Sequence, residues 1–129
     1  MLLTNPMPGP NPTSRISFGG VTPVLRVSNA SSRDYYVNAL GFRMNFEFAD
    51  FFVSVSRGDC NLFLCQGDQG HRGAWVWIDG KDVDELCEEY KVSGARIRHP
   101  PTNYSWVLEM QVEDLDGNVL RLGSDPRPG

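Results

Sequence analysis

The chain has 129 residues, which suits one domain whose folding hides roughly two-thirds of the unfolded surface, so a core forms without disulfide support. Its formal net charge of -4 provides no basic footprint for nucleic acid, and no apolar run approaches the ~20 residues that span a bilayer. Cys60, Cys65 and Cys87 are odd in number and lack CxxC spacing, which argues against a disulfide framework or a zinc site. All three are expected to be reduced and structural. The N-terminus lacks the charged start and apolar block of a signal peptide, so a cytoplasmic location is expected.

Residues 1–19 read as a flexible tail. Pro6, Pro8, Pro10 and Pro12 forbid helix and remove strand donors. A single domain is expected over 20–125, with 126–129 as a second short tail. The first module spans about 21–66. Val21 to Val27 is a predicted strand, with Pro23 near its start. Asn29 to Leu40 is a predicted helix, opened by Asn and Ser caps, closed by Gly41, and striped by Tyr36, Val37 and Leu40. Strands follow over 42–49, 51–56 and 60–66, with Arg57-Gly58-Asp59 as a turn.

A Gly-rich linker over 67–73 precedes the second module, about 74–123, which repeats the order. Ala74 to Asp79 is a predicted strand. Asp82 to Val92 is a predicted helix with Asp82 and Glu85 spaced as a capping box. Val83, Leu86, Cys87 and Tyr90 are its buried stripe, and Gly94 ends it. Ala95 to Arg98 is a short strand, Pro100 to Asn103 a loop, and Ser105 to Glu113 a strand. Asp116-Gly117-Asn118 is a tight turn before the last strand, Val119 to Gly123. The chain is therefore expected to be α+β: two βαβββ modules whose curved mixed sheets form a cleft.

Alternation divides the faces. Leu108, Met110 and Val112 point to the core, while Val107, Glu109 and Gln111 point away. Arg121 alternates with Leu120 and Leu122 and also leaves the core. Trp75 and Trp77 share one face of their strand, and Phe46 and Phe48 oppose Asn45 and Glu47. Trp106 needs a bulge or strand end to leave the core side.

Several pieces taken together resemble the vicinal oxygen chelate superfamily, which contains glyoxalase I, extradiol dioxygenases and bleomycin resistance proteins. They are Pro23 to Val27, Tyr35-Tyr36 with Leu40-Gly41-Phe42, Asp82 to Leu86, and Glu113 to Asn118. Ala74-Trp75-Val76-Trp77, and Trp106 followed by Glu109, are most similar to the bleomycin-binding branch. That resemblance implies a non-catalytic homodimer that sequesters a cationic, planar, bleomycin-type antibiotic between aromatic rings. Trp106, Trp75, Trp77, Phe46 and Tyr104 are the expected ring contacts, with Phe48, Phe51 and Phe52 as further candidates. Glu109, Glu47 and Asp50 are the expected anions, and Arg121 the counter-charge that raises a doubt about a cationic ligand.

Enzymes of this superfamily hold a metal through positions that here fall on Thr22, Gly73 or Ala74, and Arg121. None is a usual divalent-metal ligand, and arginine does not lose its proton. No metal or cofactor is therefore expected. The competing expectation is a metal-dependent lyase, isomerase or dioxygenase with a rearranged site built from His71, His99 and Glu109.

Overall fold

A computed structural model describes residues 15–49 and 52–129. The expectations for Asp50, Phe51 and most of the N-terminal tail lie outside the described residues. In chain order the elements are β1 (Val24–Arg26), α1 (Ala30–Asn38), β2 (Arg43–Phe48), β3 (Phe52–Arg57) and β4 (Cys60–Cys65). Then come β5 (Trp75–Asp79), α2 (Val83–Ser93), β6 (Arg96–Asn103), β7 (Leu108–Glu113) and β8 (Val119–Ser124). Two four-stranded sheets result, ordered β1-β4-β3-β2 and β5-β8-β7-β6. In each, the first strand pairs in parallel with the last and the other pairings are antiparallel. The expected α+β fold of two βαβββ modules is thus observed, as two separate sheets.

Local chemistry explains the element ends. The Asn29 side chain accepts from Ser31 N–H at α1, and the Asp82 side chain accepts from Glu85 N–H at α2, each satisfying a donor left free by the first turn. Gly94 ends α2 at φ 85°, a left-handed conformation that glycine adopts without a Cβ penalty.

The largest departure from expectation is β6. It continues through Pro100 and Pro101 to Asn103 instead of stopping at Arg98. It is an edge strand, and its pairing with β7 slips between Ile97 and His99 and again between His99 and Thr102. An edge position and bulges are where a sheet tolerates residues without an N–H. β7, in turn, starts at Leu108, so Ser105 to Val107 lie outside it.

One apolar cluster serves both modules. Leu25, Val53, Val55, Leu62 and Leu64 come from the first sheet, and Leu108, Met110, Val112, Leu120 and Leu122 from the second. Tyr35, Tyr36 and Leu40 join them from the α1 region, with Val83, Cys87 and Tyr90 from α2. Val37 is only half-buried, and Tyr35 takes the place expected for it.

Both helices bond to the opposite module. The Tyr35 hydroxyl donates to Glu113 O and accepts from Arg96 N–H. The Tyr90 hydroxyl donates to Leu40 O, and the Ser93 hydroxyl to Ala39 O. A buried polar knot completes the junction. Asp114 accepts from the Tyr36 hydroxyl at 2.8 Å, from the N–H of Asp116 and of Asn118, and from the Asn118 amide. Asn118 also donates to Arg26 O and accepts from Ala74 N–H. With the helix-covered face of each sheet turned into this shared core, the other two faces look outward.

Candidate functional site: two outward aromatic faces

On the second sheet, β5 turns Val76 and Ile78 toward the core and exposes Trp75 and Trp77, the division that a period of two dictates. Trp77 stands opposite Arg121 of β8 in the sheet register. The Arg121 guanidinium lies 5.1 Å from the Trp77 ring centre. The same ring stacks on Trp106, with centroids 6.1 Å apart and planes inclined by 19°. Trp106 reaches this face because the chain turns before β7 begins, with Tyr104 N–H donating to Val107 O. It is 66% exposed and forms the outer end of the stack. Gly123 makes room for the arrangement, since a Cβ there would come within 2.4 Å of the Trp77 ring.

Arg121 grips Glu109 of β7 in a two-pronged pair, at 2.5 and 3.1 Å. Glu109 is only 6% exposed, so its charge is committed to this partner. Hydrogen bonding from Arg121 holds the Glu109 carboxyl below its ordinary pKa, and Glu109 raises that of Arg121 in return. A carboxylate held ionised in this way is a weak general base near neutral pH. Tyr104 stands close enough to contribute to the field at Arg121. Further along, Arg98 of β6 lies 4.9 Å over the Trp75 ring and donates to the Gln111 side chain. The indole N–H of Trp77 donates to Asp79 at 2.9 Å.

The first sheet exposes a different surface. Phe46 of β2, Phe52 of β3 and Phe63 of β4 cluster with centroids 5.0–6.5 Å apart, and Phe48 is exposed on the same strand. A register slip between Met44 and Phe46 re-aims Asn45. Its amide bonds the hydroxyls of Ser54 and Ser56, so it sits on the phenylalanine side, against the simple alternation expected for it. Glu47 points the other way and pairs with Arg33 of α1.

The structure therefore brings Trp75, Trp77, Trp106, Glu109 and Arg121 together on one face, with Tyr104 near it, and sets Phe46 on the other. Glu47 belongs to neither. Arg98 and Phe63 join the two faces without being among the residues expected there from the sequence. Alternation with Leu62 and Leu64 was a usable signal for Phe63. Arg98 was hidden because its strand was expected to stop at that residue. A hollow of about 1120 Å³ opens where β5 and α2 meet the first module. Of the expected ligand contacts only Trp77 lines it.

His71, His99 and Glu109 form no metal-binding group, and no cluster of three or more His, Cys, Asp or Glu suited to an ion exists among the described residues. Thr22, Gly73, Ala74 and Arg121 do not fit a divalent cation either. The last is a fixed positive charge already engaged with Glu109, and it would repel the ion.

Residues 24–122 match the family described as the Glyoxalase/Bleomycin resistance protein/Dioxygenase superfamily. No curated protein sequence matches the chain. Among solved structures, the antibiotic-binding protein TnmS3 from Streptomyces sp. CB03234 is similar at TM-score 0.74 and 21% identity, covering 86% of this chain and 99% of that one. TioX from Micromonospora sp. ML1 gives 0.71 and 18%, with 86% and 99% covered. The bleomycin-binding protein of Streptomyces verticillus, complexed with copper(II)-bleomycin, gives 0.66 and 23%, with 84% and 98% covered. At these identities the likeness is one of fold.

Proposed function

The chain belongs to the glyoxalase/bleomycin resistance protein/dioxygenase superfamily, and from that premise we propose that it is a non-catalytic protein that captures a flat small molecule of the antibiotic kind in the cytoplasm. The observation that carries this reading is the exposed Trp106–Trp77–Arg121 stack beside a neutralised Glu109. Rings supply large contact area with little rotamer entropy to lose, and a polycyclic ligand extends such a stack on the open side of Trp106. The two antibiotic-binding proteins of the same fold lend the reading support.

Because the phenylalanine and tryptophan faces look outward from one core, each chain carries two half-sites. In this reading the closed cleft joins the phenylalanine face of one copy to the tryptophan face of another in a two-fold dimer, which closes two such clefts at once.

All three tryptophans of the chain lie on the second-sheet face, so intrinsic fluorescence reports on it alone. Titration with bleomycin, proflavine and anthraquinone-2-sulfonate should give saturable quenching by at least one of them at roughly micromolar Kd. Trp106→Ala should abolish saturation. If none of the three quenches saturably, the binding reading fails. Stoichiometric zinc, nickel, manganese or iron in the purified protein would replace it with a metal enzyme.

A further inference from the structure

Resting on that binding reading, we infer that the flat ligand carries an anionic group, such as a carboxylate, sulfonate or phenolate, selected by Arg98 and Arg26. This is opposite in charge to the ligand expected from the sequence resemblance. Two of the rings that would attract a cation already hold guanidinium groups, Arg121 over Trp77 and Arg98 over Trp75, and the open face of Trp106 ends the stack that Arg121 begins. A cationic ligand would have to displace them or sit beside like charge, which is unfavourable in a partly desolvated cleft.

Of the acidic groups on this face, Glu109 is held by two bonds from Arg121 and Asp79 accepts from the Trp77 indole. Arg98 has only neutral partners, the Gln111 side chain and the Trp75 ring. Among the described residues Arg98 has no ion pair, and it stands next to the surface on which a flat molecule stacks.

A second observation comes from the other sheet. Arg26 of β1 stands opposite Cys65, on the side of the sheet that carries Phe63 and away from the Leu25 core. Among the described residues its Nε is buried without a hydrogen-bond partner and Arg26 has no ion pair. A buried, unmatched donor on a cation is a costly feature that an incoming acceptor would relieve. Both halves of the proposed cleft thus carry an arginine with no ion pair among the described residues, and a planar anion satisfies ring and guanidinium together.

The test compares three flat probes of similar size on the full chain by tryptophan quenching: anthraquinone-2-sulfonate, neutral 2-hydroxymethylanthraquinone and cationic proflavine. The sulfonate should bind about tenfold or more tighter than the other two. Arg98→Gln should erase that preference, read as the ratio of sulfonate to neutral-probe affinity within the one variant, and Arg98→Lys should restore part of it. Arg26→Gln should reduce sulfonate affinity several-fold. Equal or tighter binding of proflavine, or an unchanged preference in Arg98→Gln, overturns the inference while leaving the binding reading intact. Absence of saturable binding by any probe, with bleomycin also inert, overturns both.

Discussion

On the first sheet the outward face is phenylalanine and hydroxyl: Phe46, Phe52 and Phe63 beside Ser54 and Asn45. On the second, tryptophans alternate with charge: Trp75 under Arg98, and Trp77 between Arg121 and Trp106, with Glu109 behind. The two sheets share strand order and pairing sense, so topology does not account for the difference. Topology sets which positions face outward, and side-chain choice at those positions decides what they contact. The first face offers apolar area with Arg26 at its β1 side; the second offers stacking with fixed electrostatics. Two unlike halves of this kind suit a ligand with one apolar edge and one polar edge.

The comparison breaks most completely if the shared framework goes. Asp114→Ala strips four hydrogen bonds from a fully buried carboxylate and leaves the Tyr36 hydroxyl and Asn118 amide without their partner. A loss of about 3–5 kcal/mol in urea unfolding is expected, and both faces should fail alike.

A smaller, pH-dependent loss should come from Tyr90. Burial pushes its hydroxyl pKa up to about 12, while an unfolded tyrosine titrates near ~10. The raised value means that the unfolded chain releases this proton first. Stability is therefore intact below ~10 and falls as pH rises through the folded value, by about 1.4 kcal/mol per pH unit across that window. Tyr90→Phe should flatten this part of the curve measured by denaturant titration.

The most selective change is Gly123→Ala. The added Cβ would meet the Trp77 ring at 2.4 Å, at a cost of roughly 1–3 kcal/mol. It should shift the tryptophan emission and weaken probe binding on the second face, while leaving the phenylalanine face untouched. Loss of both faces together would mean that they are not separable units.

Much of the fold was legible because caps, turns and alternation act locally. Asn29, Asp82, Gly94 and Gly117 did what their chemistry favours. β6 departs from expectation because Pro100 and Pro101 signal a loop, whereas edge placement and bulges let a strand carry them. The same kind of slip hid Asn45, since alternation fails wherever an extra residue enters a strand. Within the site, alternation separated Trp75 and Trp77 from Val76 and Ile78, and it separated Glu47 from Phe46. What could not be read is long-range. That Arg98 spans from the far edge strand to Trp75, or that Arg26 Nε has no partner among the described residues, depends on sheet curvature and on packing between modules.

The central claim is that one site is assembled from unlike faces on two copies, and mixed dimers test it most directly. Phe46→Ala chains and Trp106→Ala chains are each expected to bind anthraquinone-2-sulfonate weakly in calorimetric titration. Co-expressed, they should regain a class of sites with wild-type affinity, amounting to about a quarter of all sites, because half of the dimers are mixed and each mixed dimer holds one intact cleft. If the mixture binds no better than its separate components, the two faces do not meet in one cleft.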